Sequence, residues 1–374
     1  MPRLFILCEY PTLLGGERSM LATLPSVAAS GFDVAIAAPP AGPLAEELSR
    51  RGISHISWPT HDEQGQRYPL PELRASLATL LRAVRPDLLH ANSLSTSRIA
   101  GPVAADARTR SIGHLRDIMK LAPQVVTDLN LHTRLLAVSH ATRDFHVAQG
   151  LSQTKCQVLY NGVDLNKFHP RHRADTLRHE LQLPVQSRCA AVVGQIGLRK
   201  GTDVAIEAAN QLASEFADLH WLIVGERTST KEESHEFEAK LRVISSQPPL
   251  AGRVHFVGTR TDMPILLAAC DLLVHAARQE PLGRVLLEAA ATGLPVVATD
   301  VGGTREIFPA DTNSAVLISP DRPDQLASAV RSLLSSDSQR VALGAAARRR
   351  AESAFDIRNA AANLINHYQS VLQL

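Results

Sequence analysis

The sequence predicts an α/β chain of two Rossmann-like, doubly wound domains facing across a cleft. Short apolar runs without alternation, beginning with RLFILC at residues 3–8, trade places with helix-periodic stretches along most of the chain. That is the pattern of parallel strands buried on both faces and joined by crossover helices. The alternation lapses once, over residues 161–187, where Pro170, Pro184 and several His and Arg residues read as an interdomain connection carrying a short helix. The length of 374 residues gives each domain enough chain to bury its own core.

The first domain opens on RLFILC as a strand. A loop carrying Gly15 and Gly16 leads into a helix that Gly31 ends, and FDVAIAA is the second strand, a right-handed βαβ start. PLAEELSRRG, ISHISW, the helical PELRASLATLLRAV, DLLHA, a helix over residues 95–106, RSIGHL, LLAVS and VLY continue the series. Beyond the connection the series restarts with CAAVVG as a strand, a helix over residues 201–216, LHWLIVG, a charged helix over residues 231–246 and RVHFVG. MPILLAAC, DLLVHA, the helical RVLLEAAATG, LPVVATD and AVLIS follow. The tail is helical over residues 323–334 and 337–351 and again from Phe355, where Ile357, Ala361, Leu364, Tyr368 and Val371 recur at spacings of four and three.

Composition excludes several functions. A formal charge of +2 and 4% aromatic residues offer neither a steering field nor a stacking platform, so no nucleic-acid partner is expected. Cys8, Cys156, Cys189 and Cys270 lack zinc or redox spacing and read as core thiols of a reducing compartment. The start, MPRLFILCEY, does not have the form of a signal peptide, and no run of about 18 apolar residues occurs. The expected location is cytoplasmic, leaving room for a peripheral contact with the inner face of a membrane, and the oligomeric state is left open. There is no D-x-D string to clamp a metal-bound diphosphate, and no metal site is expected.

The chemistry concentrates in QEPLGRVLLE, residues 279–288. Pro281 and Gly283 break any earlier helix and RVLLEAAAT runs to a stop at Gly293, which puts Glu280 just before a helix and Glu288 within it. Between the two carboxylates the helix start offers unpaired N–H groups and a positive dipole end, a seat for the phosphates of a sugar diphosphate. Two glutamates flanking an amphipathic helix are the plainer account. No G-x-G-x-x-G, P-loop, G-x-S-x-G or H-E-x-x-H string competes with this site. Lys200, in the loop after CAAVVG, is placed to balance phosphate charge, and Gly201 beside it favours close backbone approach. Gly15 and Gly16 hold the matching loop of the first domain. His114 heads HLRD, with Arg116 and Asp117 behind it, and Gly302, Gly303 and Glu306 follow LPVVATD. A solvated lysine, a helix-entry turn, a structural His–Asp pair and a capping turn are the respective structural alternatives.

Taken in order, GGER, NGVD at residues 161–164, GQIGLRKG, IVG, RVHFVG, EPLGRVLLEAAATGLPVVATDVGG and the closing helix resemble the family-4 retaining glycosyltransferases of the GT-B fold, over nearly the whole chain. The resemblance implies an acceptor domain over residues 1–170, a nucleotide-sugar donor domain over residues 171–354, and a closing helix, residues 355–374, that crosses back to the first domain. It implies sugar transfer from a nucleotide-diphosphate sugar to a glycan, lipid-linked sugar or small molecule, without a metal or other cofactor. Catalytic roles would fall to His114, approaching the transferred sugar, Lys200, on the diphosphate, and Glu280, on the sugar hydroxyls. Glu288 would hold the ribose, the backbone of Leu282, Gly283, Arg284 and Val285 the diphosphate, Gly258 and Thr259 the base, and Gly15 and Gly16 the phosphates. Tyr10, Asn92 and Arg116 are the acceptor-side candidates. Three departures stand out: Gln195 where the family carries Arg, with Arg199 as a substitute donor contact; Leu282 for the usual Phe; and a first loop one residue tighter. A GT-B nucleotide-sugar epimerase and a non-catalytic binding subunit are the alternative readings.

Overall fold

The structure, a computed structural model, describes residues 1–172 and 175–373. The chain divides into two compact units, Met1–Gly162 with Ile357–Leu374, and Val163–Asp356. The division falls at residue 162 rather than 170 because the Val163 N–H bonds to the Phe355 carbonyl at 2.8 Å and Arg348 bonds to the Phe168 carbonyl at 2.8 Å, tying residues 163–168 into the second unit. Gly162 packs on the closing helix so tightly that a Cβ there would lie 2.5 Å from Ile357 Cα.

The first unit contains the strands β1 (Arg3–Leu7), β2 (Asp33–Ala38), β3 (Ser54–Ser57), β4 (Leu88–Ala91), β5 (Arg110–Leu115), β6 (Arg134–Ala137) and β7 (Cys156–Val158). They form one parallel sheet in the order β3-β2-β1-β4-β5-β6-β7, with Ile6 paired to both Ile36 and His90. The second unit contains β8 (Arg188–Val193), β9 (Leu219–Val224), β10 (Val254–Gly258), β11 (Leu272–His275), β12 (Val296–Thr299) and β13 (Val316–Ile318), parallel in the order β10-β9-β8-β11-β12-β13. In each sheet the strand order reverses between the first strand and the fourth, and the loops leaving β1, β4, β8 and β11 flank that reversal, where doubly wound sheets bind ligands.

The buried strands explain the apolar runs: Leu4, Ile6, Ile36, Leu88 and Ile112 join one core, and Ala190, Val192, Trp221, Ile223 and Val274 another. The closing helix, Ile357–Leu372, inserts Leu364, Tyr368 and Val371 beside Leu21, Leu24 and Phe32 of the first unit. Tyr368 meets Phe32 edge to face at 5.5 Å, and each such buried side chain stabilises the docked helix by about 2 kcal/mol.

Two local differences from the sequence reading have physical causes. Gly15 and Gly16 are the first residues of the helix Gly15–Ala29 rather than a preceding loop, because Glu17 reaches back to accept the Leu14 N–H at 3.2 Å. Two helices of eight residues each, Pro123–Asn130 and His140–Val147, lacked a legible apolar stripe because their buried positions include Asp128, Thr142 and His146. The four cysteines are free, and Cys8, Cys156 and Cys189 are buried. Among the described residues no helix is long and apolar enough to cross a membrane.

Candidate active site

In the second unit, β11 delivers the buried His275 and the chain then passes through Glu280 to the helix Arg284–Thr292. Gly283 starts that helix at φ +104°, a conformation side chains resist, and a Cβ would meet the Leu286 side chain at 2.6 Å. The Leu286 and Leu287 amides turn back to the Gly283 carbonyl, whereas the Arg284 and Val285 amides have no acceptor among the described residues. These are the open donors of a helix N-terminus.

Glu280, 5% exposed, accepts on Oε2 from Lys200 Nζ at 2.5 Å and from His275 Nε2 at 2.9 Å. Burial pushes the Glu280 carboxyl up, but Lys200 and His275 more than reverse this and hold it well below the usual carboxylate range. Burial pushes His275 down against the pull of Glu280, so a neutral ring donating from Nε2 fits the cluster. The Gly303 N–H bonds to the Glu280 carbonyl at 3.0 Å, which gives the Gly302–Gly303 loop its place. Lys200 ends a 3-10 turn, Leu198–Lys200, that Gly201 closes at φ +65°. A Cβ on Gly201 would sit 1.8 Å from the Ala276 carbonyl oxygen, so this glycine lets the turn press against the end of β11 and brings Lys200 to Glu280. Separate contacts are expected for these two residues from the sequence, and the fold joins them in a buried ion pair.

The other expected donor contacts surround this pair unevenly. Glu288, inside the helix, accepts from Arg284 at 2.6 Å. Gly258 ends β10 at φ +69°, and the Thr259 N–H bonds to Glu226 Oε1 at 3.3 Å. Leu282 and Val285 are buried apolar supports. Gln195 is half-buried beyond Gly194, while Arg199 is exposed on the Lys200 turn, 3.5 Å from the Gln279 carbonyl oxygen. No cluster of three His, Cys, Asp or Glu residues suited to a metal occurs among the described residues.

In the first unit, Arg116 is the hub. Its Nε donates to the Asn92 carbonyl at 2.8 Å, Nη1 to Asn161 Oδ1 at 3.1 Å, and Nη2 to Asn92 Oδ1 at 2.8 Å and His114 Nδ1 at 3.1 Å. Burial lowers this guanidinium to about 10, and among the described residues it has no ion pair with a carboxylate. A Cβ on Gly16 would touch Arg116 Cδ at 3.2 Å. His114 is buried against Arg116 and His90 and does not pair with Asp117, whose carbonyl serves His146 at 2.8 Å. Ser19, Asn92, His114, Arg116, Asn161 and Tyr368 line a depression of about 400 Å³. Tyr10 lies against His61, ring centroids 5.7 Å apart, and shares no hydrogen bond with Asn92 or Arg116 among the described residues.

His90, Tyr368, His275 and Glu226 were not singled out as site residues from the sequence. A signal existed for two of them: DLLHA and DLLVHA each carry one polar residue near the carboxyl end of an apolar strand.

Comparison with known proteins follows the same division. The family model "Glycosyltransferase Family 4" matches residues 14–167, and "Glycosyl transferases group 1" matches residues 174–350. Spore coat protein SA of Bacillus subtilis is 30% identical over 226 residues, 58% of this chain and 59% of that protein. The lipopolysaccharide core biosynthesis mannosyltransferase LpsB of Rhizobium meliloti is 32% identical over 161 residues, 43% of this chain and 45% of that protein. The chain thus spans about half the length of these curated relatives. Anabaena Alr3699/HepE, solved in complex with UDP-glucose, superposes with a TM-score of 0.86 at 22% identity, covering 98% of this chain and 99% of that one. With one family model on each α/β unit and a GT-B neighbour over its length, the chain belongs to the family-4, group-1 glycosyltransferases of the GT-B fold.

Proposed function

We propose that the protein transfers a sugar from a nucleotide-diphosphate sugar to a glycan, lipid-linked sugar or small-molecule acceptor, with retention of anomeric configuration and without a metal ion. The observation that carries this reading is the buried Lys200–Glu280–His275 cluster beside the open amides of Arg284 and Val285. An ammonium and a helix N-terminus suit a diphosphate, and a buried carboxylate kept ionised suits sugar hydroxyls. The names of the relatives, a mannosyltransferase and a protein that binds UDP-glucose, support the same class.

In this reading the second unit holds the donor and the first supplies the acceptor and His114. The diphosphate draws Lys200 towards itself, the leaving phosphate takes the acceptor proton on the face from which it departs, and Lys200 with the helix amides stabilises the charge growing there. One such contact contributes about 3 kcal/mol, or roughly 100-fold in rate. Glu288 binds the ribose with the oxygen that Arg284 leaves open, and Arg199 supplies the phosphate contact that Gln195 lacks.

A mass-spectrometric screen of UDP-glucose, GDP-mannose and related donors against an acceptor panel, in EDTA, tests this. The expected result is nucleoside diphosphate released only with an acceptor, and a product heavier by one sugar. A strict requirement for magnesium or manganese contradicts metal independence, interconversion of the nucleotide sugar alone indicates an epimerase, and binding without turnover indicates a binding subunit.

A further inference from the structure

His114 has an unequal ring. Its Nδ1 lies 3.1 Å from Arg116 Nη2 and 3.2 Å from His90 Nε2, while its Nε2 is buried without a partner and the ring lines the depression described above. A guanidinium nitrogen can only donate, so Nδ1 of His114 accepts. Burial and the neighbouring Arg116 keep the ring neutral. Its single proton is therefore on Nε2.

The next residues fix the same choice from the other side. His90 Nδ1 is 2.6 Å from the Tyr368 hydroxyl oxygen. Burial pushes that phenol well above its ordinary range, so it keeps its proton. With the Tyr368 O–H donating to His90 Nδ1, His90 carries its proton on Nε2 and donates to His114 Nδ1. The opposite tautomer of His90 would set two ring lone pairs against each other at 3.2 Å. The two ring planes are within 16° of parallel with centroids 5.4 Å apart, which fits an N–H···N bond between the two ring edges.

We propose that Tyr368, His90 and Arg116 are positioning residues that lock His114 as the neutral Nε2–H tautomer, so that it offers one oriented donor to a ligand oxygen in the first unit and does not act as a base there. That the oxygen belongs to the sugar or acceptor rests on the function proposed above; the tautomer itself does not. The closing helix thereby becomes part of the site chemistry, because Tyr368 is its contribution.

Long-range ¹H–¹⁵N correlation NMR on the full chain with labelled histidine tests the lock, with His114 and His90 assigned by the spectra of His114→Gln and His90→Gln. Both rings are expected to carry the proton on Nε2 at neutral pH. In Tyr368→Phe, His90 is expected to shift towards the Nδ1–H form and kcat to fall about 3- to 10-fold with KM little changed and the melting temperature nearly that of the parent. A proton on Nδ1 of either ring in the parent protein overturns the proposal. An active Tyr368→Phe with unchanged kcat and an unchanged His90 spectrum does the same. The Nε2–H form in both rings, with no turnover of any donor, leaves the lock standing and removes the proposed function.

Discussion

Strands β4 and β11 hold the same place in their respective sheets and are built alike, yet they end in opposite electrostatics. Each is preceded by an aspartate that accepts a backbone N–H from the start of the neighbouring strand: Asp87 from Arg3 at 2.7 Å, and Asp271 from Cys189 at 2.7 Å. Each carries a buried histidine near its carboxyl end. In the second unit His275 faces Glu280, which Lys200 also holds, and the result is a charged cluster. In the first unit His90 faces Tyr368 and His114, and Arg116 is surrounded by amide oxygens and a ring nitrogen. One framework thus yields a charge pair suited to phosphate and sugar, and a polar network that orients donors. The difference lies in a few residues of the loops and of one added helix.

The sharpest way to break this contrast is to remove a charge from each side. Lys200→Ala leaves Glu280 buried without its cation, and the second unit should lose about 3–5 kcal/mol in urea denaturation. Adding Glu280→Gln should restore much of that stability without restoring turnover. Arg116→Gln removes bonds to neutral groups and should cost less, about 2 kcal/mol, in the first unit.

The matching glycines give the next largest difference. Gly201→Ala meets both φ +65° and a backbone oxygen 1.8 Å away, and should destabilise by about 3 kcal/mol. Gly16→Ala meets only the flexible Arg116 side chain at 3.2 Å and should cost less than about 1 kcal/mol. Equal effects in thermal melts would erase the distinction between a rigid and a compliant helix start.

Acid provides a smaller test. In the first unit burial lowers His90 to about 3 and His132 to about 4, and lowers His114 well below its ordinary value. The unfolded chain protonates these residues near pH 6.5, while in the folded chain His90 and His132 resist until about 3–4. The unfolded state therefore binds more protons between those limits, so stability falls as pH drops below about 6.5, by about 1 kcal/mol per histidine for each pH unit. The second unit has fewer such groups among the described residues: burial lowers His220 to about 4 and also lowers His255 and His275, whereas the first unit adds His367, lowered to about 4. Trp58 reports on the first unit and Trp221 on the second. In Trp221→Phe and Trp58→Phe variants followed by fluorescence, the Trp58 transition should move further between pH 7 and 5.5.

Much of the fold was legible because parallel strands buried on both faces leave unmistakable apolar runs, and because Gly283 and Gly293 bracket the helix Arg284–Thr292. The site was half legible. Glu280 and Lys200 announced themselves as charges near glycines in loops that follow strands, and Glu288 as a charge within the helix after Gly283, but that Lys200 pairs with Glu280 depends on how the turn at Gly201 presses on Ala276, a contact across 75 residues of sequence. His90 and His275 hid inside strands because one polar residue in an apolar run reads as noise. Tyr368 hid in a helix stripe because its ring belongs to the core and only its hydroxyl to the site.

The most direct test of the central claim compares Glu280→Gln with Glu288→Gln in full kinetics. Glu280, held ionised beside Lys200, should serve the sugar as charge develops at the anomeric centre, so its loss should lower kcat about 10- to 1000-fold and change KM less. Glu288 should bind the ribose before and during transfer, so its loss should mainly raise KM. Matching falls in melting temperature for both variants, with unaltered kinetics in the folded fraction, would contradict the account and leave the two carboxylates as parts of the scaffold.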